Sequence, residues 1–376
     1  MMRLTLIQVG IGTVGGAVVE QVIAHRERWR QELGIDLVVG AVVGQTGALV
    51  SDATTGLDDQ TLRAVLTARR DGGAGLTDLA RKLDLALLAP DEAIARCANA
   101  GPTVVSDAAS GEQTAALDAA ALAHGAGVVF SNKAPLALPL VDPMSAALWA
   151  EAGPRGRLRY EATCGAGLPV ISTLRSLLET GDRPIQIQGA LSGTFGAIFS
   201  AIGAGSQFGD AVRMAKERGY TEPDPRDDLS GLDVARKALI LARTIGRPID
   251  LREIAVESLV PEHLVEVEVA EFLARVGDAD AAIGERATHA KRDGQALKYV
   301  ATITPEGTLE VGMRAIGTDT VLGALQGPEN IVSIRTERYD TYPCVISGPG
   351  AGAAVTAAGI VSDVLALARG PLSVGR

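Results

Sequence analysis

The sequence predicts an α/β protein in two parts. An N-terminal domain of βαβ units surrounds a parallel sheet, and an α+β domain with a mixed sheet follows. Three observations predict this. A short apolar run, Leu4–Val9, leads directly into Gly10-Ile11-Gly12-Thr13-Val14-Gly15 and then a helical pattern. Apolar strands continue to alternate with helical stretches up to about residue 150. From about Arg159 the pattern changes to period-two strands, a hairpin turn and charged helices.

The glycine pattern is informative because of its position between a strand and a helix whose apolar face carries Val14, Val18, Val22 and Ile23. In that position it marks a Rossmann-type dinucleotide-binding domain. Gly10 permits the tight turn, Gly12 lets a pyrophosphate approach the backbone, and Gly15 lets helix and strand pack closely. The helix start, Thr13 and Val14 included, supplies N–H groups and a partial positive charge. Gly10, Gly12, Thr13, Val14 and Gly15 are therefore candidate cofactor residues.

The second strand is expected over Asp36–Val43 and runs into "GQTGALVSD". A carboxylate at its end would hold the ribose of NAD. Neither an acid nor an arginine stands there, and the next acid is Asp52, so NAD and NADP both stay open. "LDLALLAP" (Leu83–Pro90) reads as a helix end or a strand. "PTVVSDAAS" (Pro102–Ser110) reads as a strand. "GAGVVFSNKAPLA" (Gly125–Ala137) reads as another, ending in Ser131-Asn132-Lys133. The C-terminal ends of strands in such a sheet face the ligand crevice, which makes Lys133 a candidate on the cofactor side. This domain is expected over 1–150, completed by a glycine-led C-terminal helix within 349–376.

Residues 151–348 are expected to form a substrate-binding, catalytic and dimerisation domain. "IQIQGALSGTFGAIFSAI" reads as a strand, a turn at Ser192-Gly193-Thr194, and a helix. "GDAVRMAKERGY" is an amphipathic helix ended by Gly219. "HLVEVEVAEFLARVG" carries period-two alternation and is expected to include a strand. Lys298–Ile303 and Thr308–Met313 alternate likewise, with Pro305-Glu306-Gly307 between them as a hairpin turn.

The stretch "GYTEPDPRDDLSGLDVARK" (Gly219–Lys237) concentrates five acids and three bases. Asp233 and Lys237 are four apart on an expected helix and share a face. Ser230 or Asp228 is expected to cap that helix. Pro223 and Pro225 stiffen the approach. The stretch would thus present Glu222, Asp227, Asp228, Asp233 and Lys237 together. Beside a dinucleotide, a lysine can serve as proton donor to the alkoxide that hydride transfer creates. A carboxylate beside it orients the lysine, and another can hold a substrate ammonium.

Composition narrows the class. With 376 residues, 47% of them hydrophobic, the chain can bury a large core. A formal charge of −10 argues against a nucleic-acid or membrane-surface partner. Cys97, Cys164 and Cys344 are too scattered for a disulfide framework or zinc site, and His25, His124, His263 and His289 form no ligand pair. No signal peptide opens the sequence and no apolar run is long enough to span a bilayer, so a cytoplasmic protein is expected.

"GIGTVG", "SNKAPLA", "YEATCGAGLPVI", "GYTEPDPRDDLSGLDVARK" and "GPGAGAAVTAAGI" occur in an order that resembles the homoserine dehydrogenase family over nearly the whole chain. The resemblance implies NAD(P)-dependent interconversion of L-aspartate 4-semialdehyde and L-homoserine, on the route to threonine, methionine and isoleucine, by a homodimer. It implies Lys237 as acid/base, Glu222, Asp228 and Asp233 as substrate-binding residues, and Lys133 as a cofactor-side residue and second proton-transfer candidate. It places Gly219 and Gly352 at cofactor contacts. It implies a sodium-type cation held by Glu161, Cys164, Ala166 and Leu168. Phe195 and Gly196 depart from the polar residues common in the family. With only about twenty residues after "GPGAGAA", no C-terminal regulatory ACT domain is expected.

Two rivals use the same residues differently. An acylating semialdehyde dehydrogenase would use Cys164 as a thiolate nucleophile. A catalytically silent nucleotide sensor would keep "GIGTVG" but have no need of Glu222, Asp233, Lys237 and Lys133.

Overall fold

A computed structural model describes residues 1–51, 55–72 and 75–373. Asp52, named above beyond the second strand, lies outside them. The chain divides into two compact units, Met1–Gly167 with Gly352–Arg376, and Leu168–Ala351.

The first unit holds seven strands: β1 (Met2–Val9), β2 (Ile35–Gly44), β3 (Gly47–Val50), β4 (Ala86–Leu88), β5 (Thr103–Asp107), β6 (Gly127–Phe130) and β7 (Leu158–Arg159). Their order is β4-β3-β2-β1-β5-β6-β7. From β2 to β7 the neighbours are parallel, while β3 and β4 add on antiparallel. Val9 pairs with Val43 and Asp107, and Asp107 pairs with Phe130. The C-terminal ends of β1, β2, β5 and β6 therefore lie in one row, where Gly10, Ala108 and Ser131 leave the sheet and Gly44 turns back toward β3.

β1 and β2 are buried on both faces, as a sheet covered by helices requires. Leu4, Leu6, Leu37 and Val39 pack with Val18 and Val22 of the helix Thr13–Leu33. Ile360, Val364 and Leu367 of the C-terminal helix Ala353–Arg369 join the same core. β7 carries this unit to Gly167, beyond residue 150, because Leu158 and Arg159 pair with Val128 and Val129. The segment Leu83–Pro90 contains both expected forms in succession. A helix ends at Leu83, Asp84 turns the chain at φ 52°, and β4 follows.

The second unit holds β8 (Pro184–Ala190), β9 (Ala255–Val256), β10 (Gln295–Ile303), β11 (Glu310–Gly317), β12 (Glu329–Thr336) and β13 (Cys344–Pro349). The order is β13-β12-β8-β10-β11-β9, mixed because β9 pairs in parallel with β11. The Pro305-Glu306-Gly307 turn joins β10 and β11 in an antiparallel hairpin.

The expected strand in "HLVEVEVAEFLARVG" does not form. A single 3-10 turn, Glu262–Leu264, precedes the helix Val269–Arg275. The reason is tertiary. Arg226 Nη1 donates to the carbonyls of Leu264, Val265 and Val267, taking acceptors that a sheet neighbour would need. Among the described residues no helix is long and apolar enough to cross a membrane.

Candidate active site

In the first unit the glycine turn has the geometry its spacing implies. Gly10 has φ +76°, and a Cβ there would lie 2.8 Å from the Ala109 nitrogen. A Cβ on Gly15 would come within 1.9 Å of the Gly10 carbonyl oxygen, so only glycine lets the helix pack this close. Gly12 has open space beside it and begins the helix. Thr13 is exposed and Val14 half-buried. The first turn carries no acidic residue and no side-chain cap, so its N–H groups suit an anion.

A second helix start, at Gly352, is likewise uncapped and free of acids. Gln21 of the first helix donates to the Ala354 carbonyl (2.7 Å), which places this start alongside that helix. Beyond β2 the chain doubles back through Gln45 and Thr46 into β3. Lys133 is half-buried, just past β6. Its neighbour Asn132 is buried and donates to Asp107 Oδ2 (3.0 Å) and to the Gly111 carbonyl (2.8 Å).

In the second unit the charged stretch folds into two helices. Asp224 caps the short helix Pro225–Leu229 by accepting the Arg226 N–H (3.0 Å). Both Asp224 oxygens also grip the Arg226 guanidinium, which lies 5.5 Å over the Phe272 ring. The helix Leu232–Thr244 then begins at Gly231, φ +74°, with no side-chain cap. Of the two expected caps, Ser230 fits from one residue before Gly231, its Oγ accepting the Leu232 N–H (3.3 Å), and Asp228 does not. Asp228 belongs to the preceding helix and faces inward, to Thr194.

That inward turn organises the loop. Asp228 Oδ2 accepts the Glu222 N–H (2.8 Å), and Oδ1 lies 2.8 Å from the Thr194 hydroxyl. The same hydroxyl lies 2.5 Å from the Tyr220 carbonyl oxygen. Thr194 has one proton for two acceptors, so a proton on Asp228 would satisfy all three groups. Burial raises Asp228, the Glu222 and Thr194 hydrogen bonds lower it, and the charges of Asp233 and Asp227 raise it further; the net is upward.

Lys237 is nearly buried among apolar helix neighbours. Its Nζ lies 2.8 Å from Asp233 Oδ2 and donates to the Leu191 carbonyl (2.6 Å). The Asp233 side chain is 46% exposed against 11% for Lys237, so the pair has an accessible carboxylate and a sheltered amine. Glu222 and Asp227 are exposed. The fold thus joins Asp233 to Lys237 and Asp228 to the Glu222 backbone, with Asp228 also feeling the charges of Asp233 and Asp227. Gly219, exposed at φ +72°, ends the helix Phe208–Glu217.

Sequence reasoning missed Thr194 as the partner of Asp228 and the Leu191 carbonyl as the partner of Lys237. The only signal was the Ser192-Gly193-Thr194 turn after a strand. Phe195, out of pattern for the family, is a core residue stacked on Tyr299 with ring centroids 3.7 Å apart. A Cβ on Gly196 would come 2.5 Å from the Gly327 carbonyl oxygen, which explains glycine there. Both departures are packing solutions.

Cys164 is completely buried, so no substrate carbonyl can reach its thiol, and the thiolate-nucleophile reading loses its premise. Glu161 and Ala166 are buried in the same segment, and Ala166 turns it at φ 56°. Leu168 is buried at the start of the second unit. Among the described residues no three His, Cys, Asp or Glu side chains cluster as metal ligands.

Comparison with known proteins agrees on one family. A homoserine dehydrogenase family model matches residues 169–365. A chloroplastic bifunctional aspartokinase/homoserine dehydrogenase 2 of Zea mays is 36% identical over 362 residues, covering 96% of this chain and 38% of its own length. The chain therefore spans well under half of such bifunctional relatives. A homoserine dehydrogenase of Emericella nidulans is 36% identical over 296 residues, covering 74% of this chain and 79% of its own. Among solved structures, a hyperthermophilic archaeal homoserine dehydrogenase in complex with NADPH superposes with a TM-score of 0.72 at 23% identity, covering 98% of each chain. That likeness is one of fold, a nucleotide-binding domain with a catalytic domain. By sequence and by fold, this chain belongs to the homoserine dehydrogenase family.

Proposed function

We propose that the chain interconverts L-homoserine and L-aspartate 4-semialdehyde with NADP or NAD, serving synthesis of threonine, methionine and isoleucine. The observation that carries this is the Lys237–Asp233 pair, a sheltered amine beside an accessible carboxylate, in a family whose members are NAD(P)-dependent oxidoreductases. A bound nicotinamide supplies the hydride to the aldehyde carbon, or accepts it from the alcohol carbon. In the reducing direction the Lys237 ammonium gives a proton to the oxygen as it gains negative charge. In the oxidising direction the neutral amine takes that proton back. Asp233 and the Leu191 carbonyl hold Nζ in place, so little reorganisation is needed at the moment of transfer.

Glu222 and Asp233 are the proposed carboxylates for the substrate ammonium, with Asp228 shaping the loop that presents Glu222. The uncapped helix starts at Gly12 and Gly352 are proposed to hold the dinucleotide phosphates, with Lys133 on the cofactor side and Gly219 as a further contact. A homodimer and a sodium ion at Glu161, Cys164, Ala166 and Leu168 are supported by the resemblance alone, and a cytoplasmic setting by the sequence reading alone.

The test is absorbance at the nicotinamide band with L-homoserine at mildly alkaline pH, NAD⁺ and NADP⁺ side by side. Reduction of either cofactor that is lost in Lys237→Ala supports the proposal and ranks the cofactors. Folded protein that binds NADPH yet turns over no homoserine would favour the nucleotide-sensor reading instead.

A further inference from the structure

One buried acid in the first unit has no part in the reading above. Asp118 has no exposed surface and lies in the first turn of the helix Ala115–Ala123, against Asp107 and Thr114. Neither of its oxygens makes a hydrogen bond of ordinary geometry among the described residues, although the Thr114 hydroxyl is near enough to pull against its protonation.

Asp107, the last residue of β5, is equally buried but fully used. Its Oδ1 accepts the Ala109 N–H (2.9 Å), and its Oδ2 accepts the Thr114 hydroxyl (2.7 Å) and the Asn132 amide (3.0 Å). Its backbone carbonyl accepts the N–H groups of Ser131 (3.0 Å) and Asn132 (3.3 Å). Ala108 and Ala109 form the wall against which Gly10 turns. Asn132 Oδ1 accepts the Ala134 N–H (3.2 Å), so Lys133 sits between two anchored residues.

Two buried carboxylates side by side, one of them without a hydrogen bond of ordinary geometry, would be a severe cost. A proton on Asp118 removes the second charge and creates the donor that the pair lacks. Burial first, then the charge of Asp107, holds Asp118 well above the usual carboxylate range. Burial also raises Asp107, against the pull of its own donors. The helices Pro90–Ala100 and Pro143–Ala150, with β5 and β6, pack on this helix. Their charged side chains other than Asp107 are Asp91, Glu92 and Arg96, all exposed, so none of these elements brings a buried cation to the pair.

We propose that Asp118 is a positioning residue of the dinucleotide site. As a neutral acid it donates its hydrogen to the Asp107 carboxylate. Asp107 in turn ties the Ala108–Ala109 wall of the glycine turn to the Ser131–Ala134 segment carrying Lys133. The inference rests on the dinucleotide reading of this unit.

The experiment compares the wild type, Asp118→Asn and Asp118→Ala in two readouts. The first is thermal midpoint against pH from 4 upward. Native wild type holds one proton that the unfolded chain releases, so its stability falls with rising pH until Asp118 ionises. Asp118→Asn, whose amide donates without titrating, should lack that one-proton slope. A role in packing alone would leave the two slopes parallel. The second readout is NADPH affinity from nicotinamide fluorescence. Asp118→Asn should bind as the wild type does, and Asp118→Ala about tenfold or more weakly, as expected when a buried acceptor loses its donor. Parallel slopes, or Asp118→Ala binding at wild-type strength, overturn the proposal and leave the dinucleotide reading standing. Wild type that binds neither NADPH nor NADH sinks that reading and the positioning role with it.

Discussion

Lys237 Nζ stands 2.8 Å from Asp233 Oδ2, one helical turn away, and 2.6 Å from the Leu191 carbonyl oxygen at the end of β8. The carbonyl fixes the amine from the sheet side and the carboxylate fixes it from the helix. Of the two side chains, the carboxylate is the more accessible, 46% exposed against 11% for the lysine.

Removing the amine therefore tests chemistry more than stability. Lys237→Ala should lower turnover by a factor on the order of 10²–10⁴, as for a lost general acid, with NADPH affinity little changed. Steady-state rates with homoserine and fluorescence titration with NADPH separate the two effects. Turnover at the wild-type level would remove Lys237 from the mechanism.

The Thr194–Asp228 contact holds the loop that displays Glu222. Thr194→Val keeps the shape of the side chain but takes away the hydroxyl that meets Asp228 and the Tyr220 carbonyl. It should raise the Michaelis constant for homoserine, with an energetic effect of about 1–3 kcal/mol for the acceptors left unpaired. Cofactor affinity should stay as it was. A fall in cofactor affinity alone would show that the loop serves the nucleotide instead.

Gly15→Ala forces a methyl group to 1.9 Å from the Gly10 carbonyl oxygen, a backbone atom that cannot swing aside. The helix must shift off β1, with a loss above about 4 kcal/mol or failure to fold. Gly12→Ala meets nothing within 4 Å. It should fold normally and lose dinucleotide affinity, because the methyl group stands where the pyrophosphate would approach. Melting and NADPH binding measured on both variants check the contrast; equal melting of the two would contradict it.

Asp36 opens β2 between Arg3 (3.0 Å) and Arg30 (2.7 Å), with its own side chain only 7% exposed. Burial pushes its carboxyl up, but the hydrogen bonds and charges of Arg30 and Arg3 outweigh burial and hold it below the usual carboxylate range. The sign follows from linkage. A depressed carboxyl adds stability above its ordinary value, and that stability is lost as pH falls through the depressed one. Asp36→Asn should cost about 1–2 kcal/mol near neutrality, allowing for its half-exposed partners. It should also flatten the loss of stability below about pH 4. Denaturant midpoints at neutral and acid pH measure both, and an unchanged acid limb would remove Asp36 from it.

Much of this protein was legible in its sequence because it depends on spacing within single elements. Gly10, Gly12 and Gly15 state their turn, open approach and close packing by position alone, between an apolar strand and a helix. Asp233 and Lys237 state their pairing by an interval of four on a helix. Pro305-Glu306-Gly307 states its hairpin. The tertiary structure decided where the remaining polar groups go. Asp228 looked like a helix cap until Thr194, 34 positions away, took it inward. "VEVEV" had the alternation of a strand, but the Arg226 guanidinium occupies its carbonyls. Asp118, which nothing in the sequence reading singled out, lies fully buried beside the equally buried Asp107. Periodicity records which side chains share a face. A hydrogen bond or a shared proton needs a partner brought from elsewhere in the chain, and only the folded arrangement supplies it.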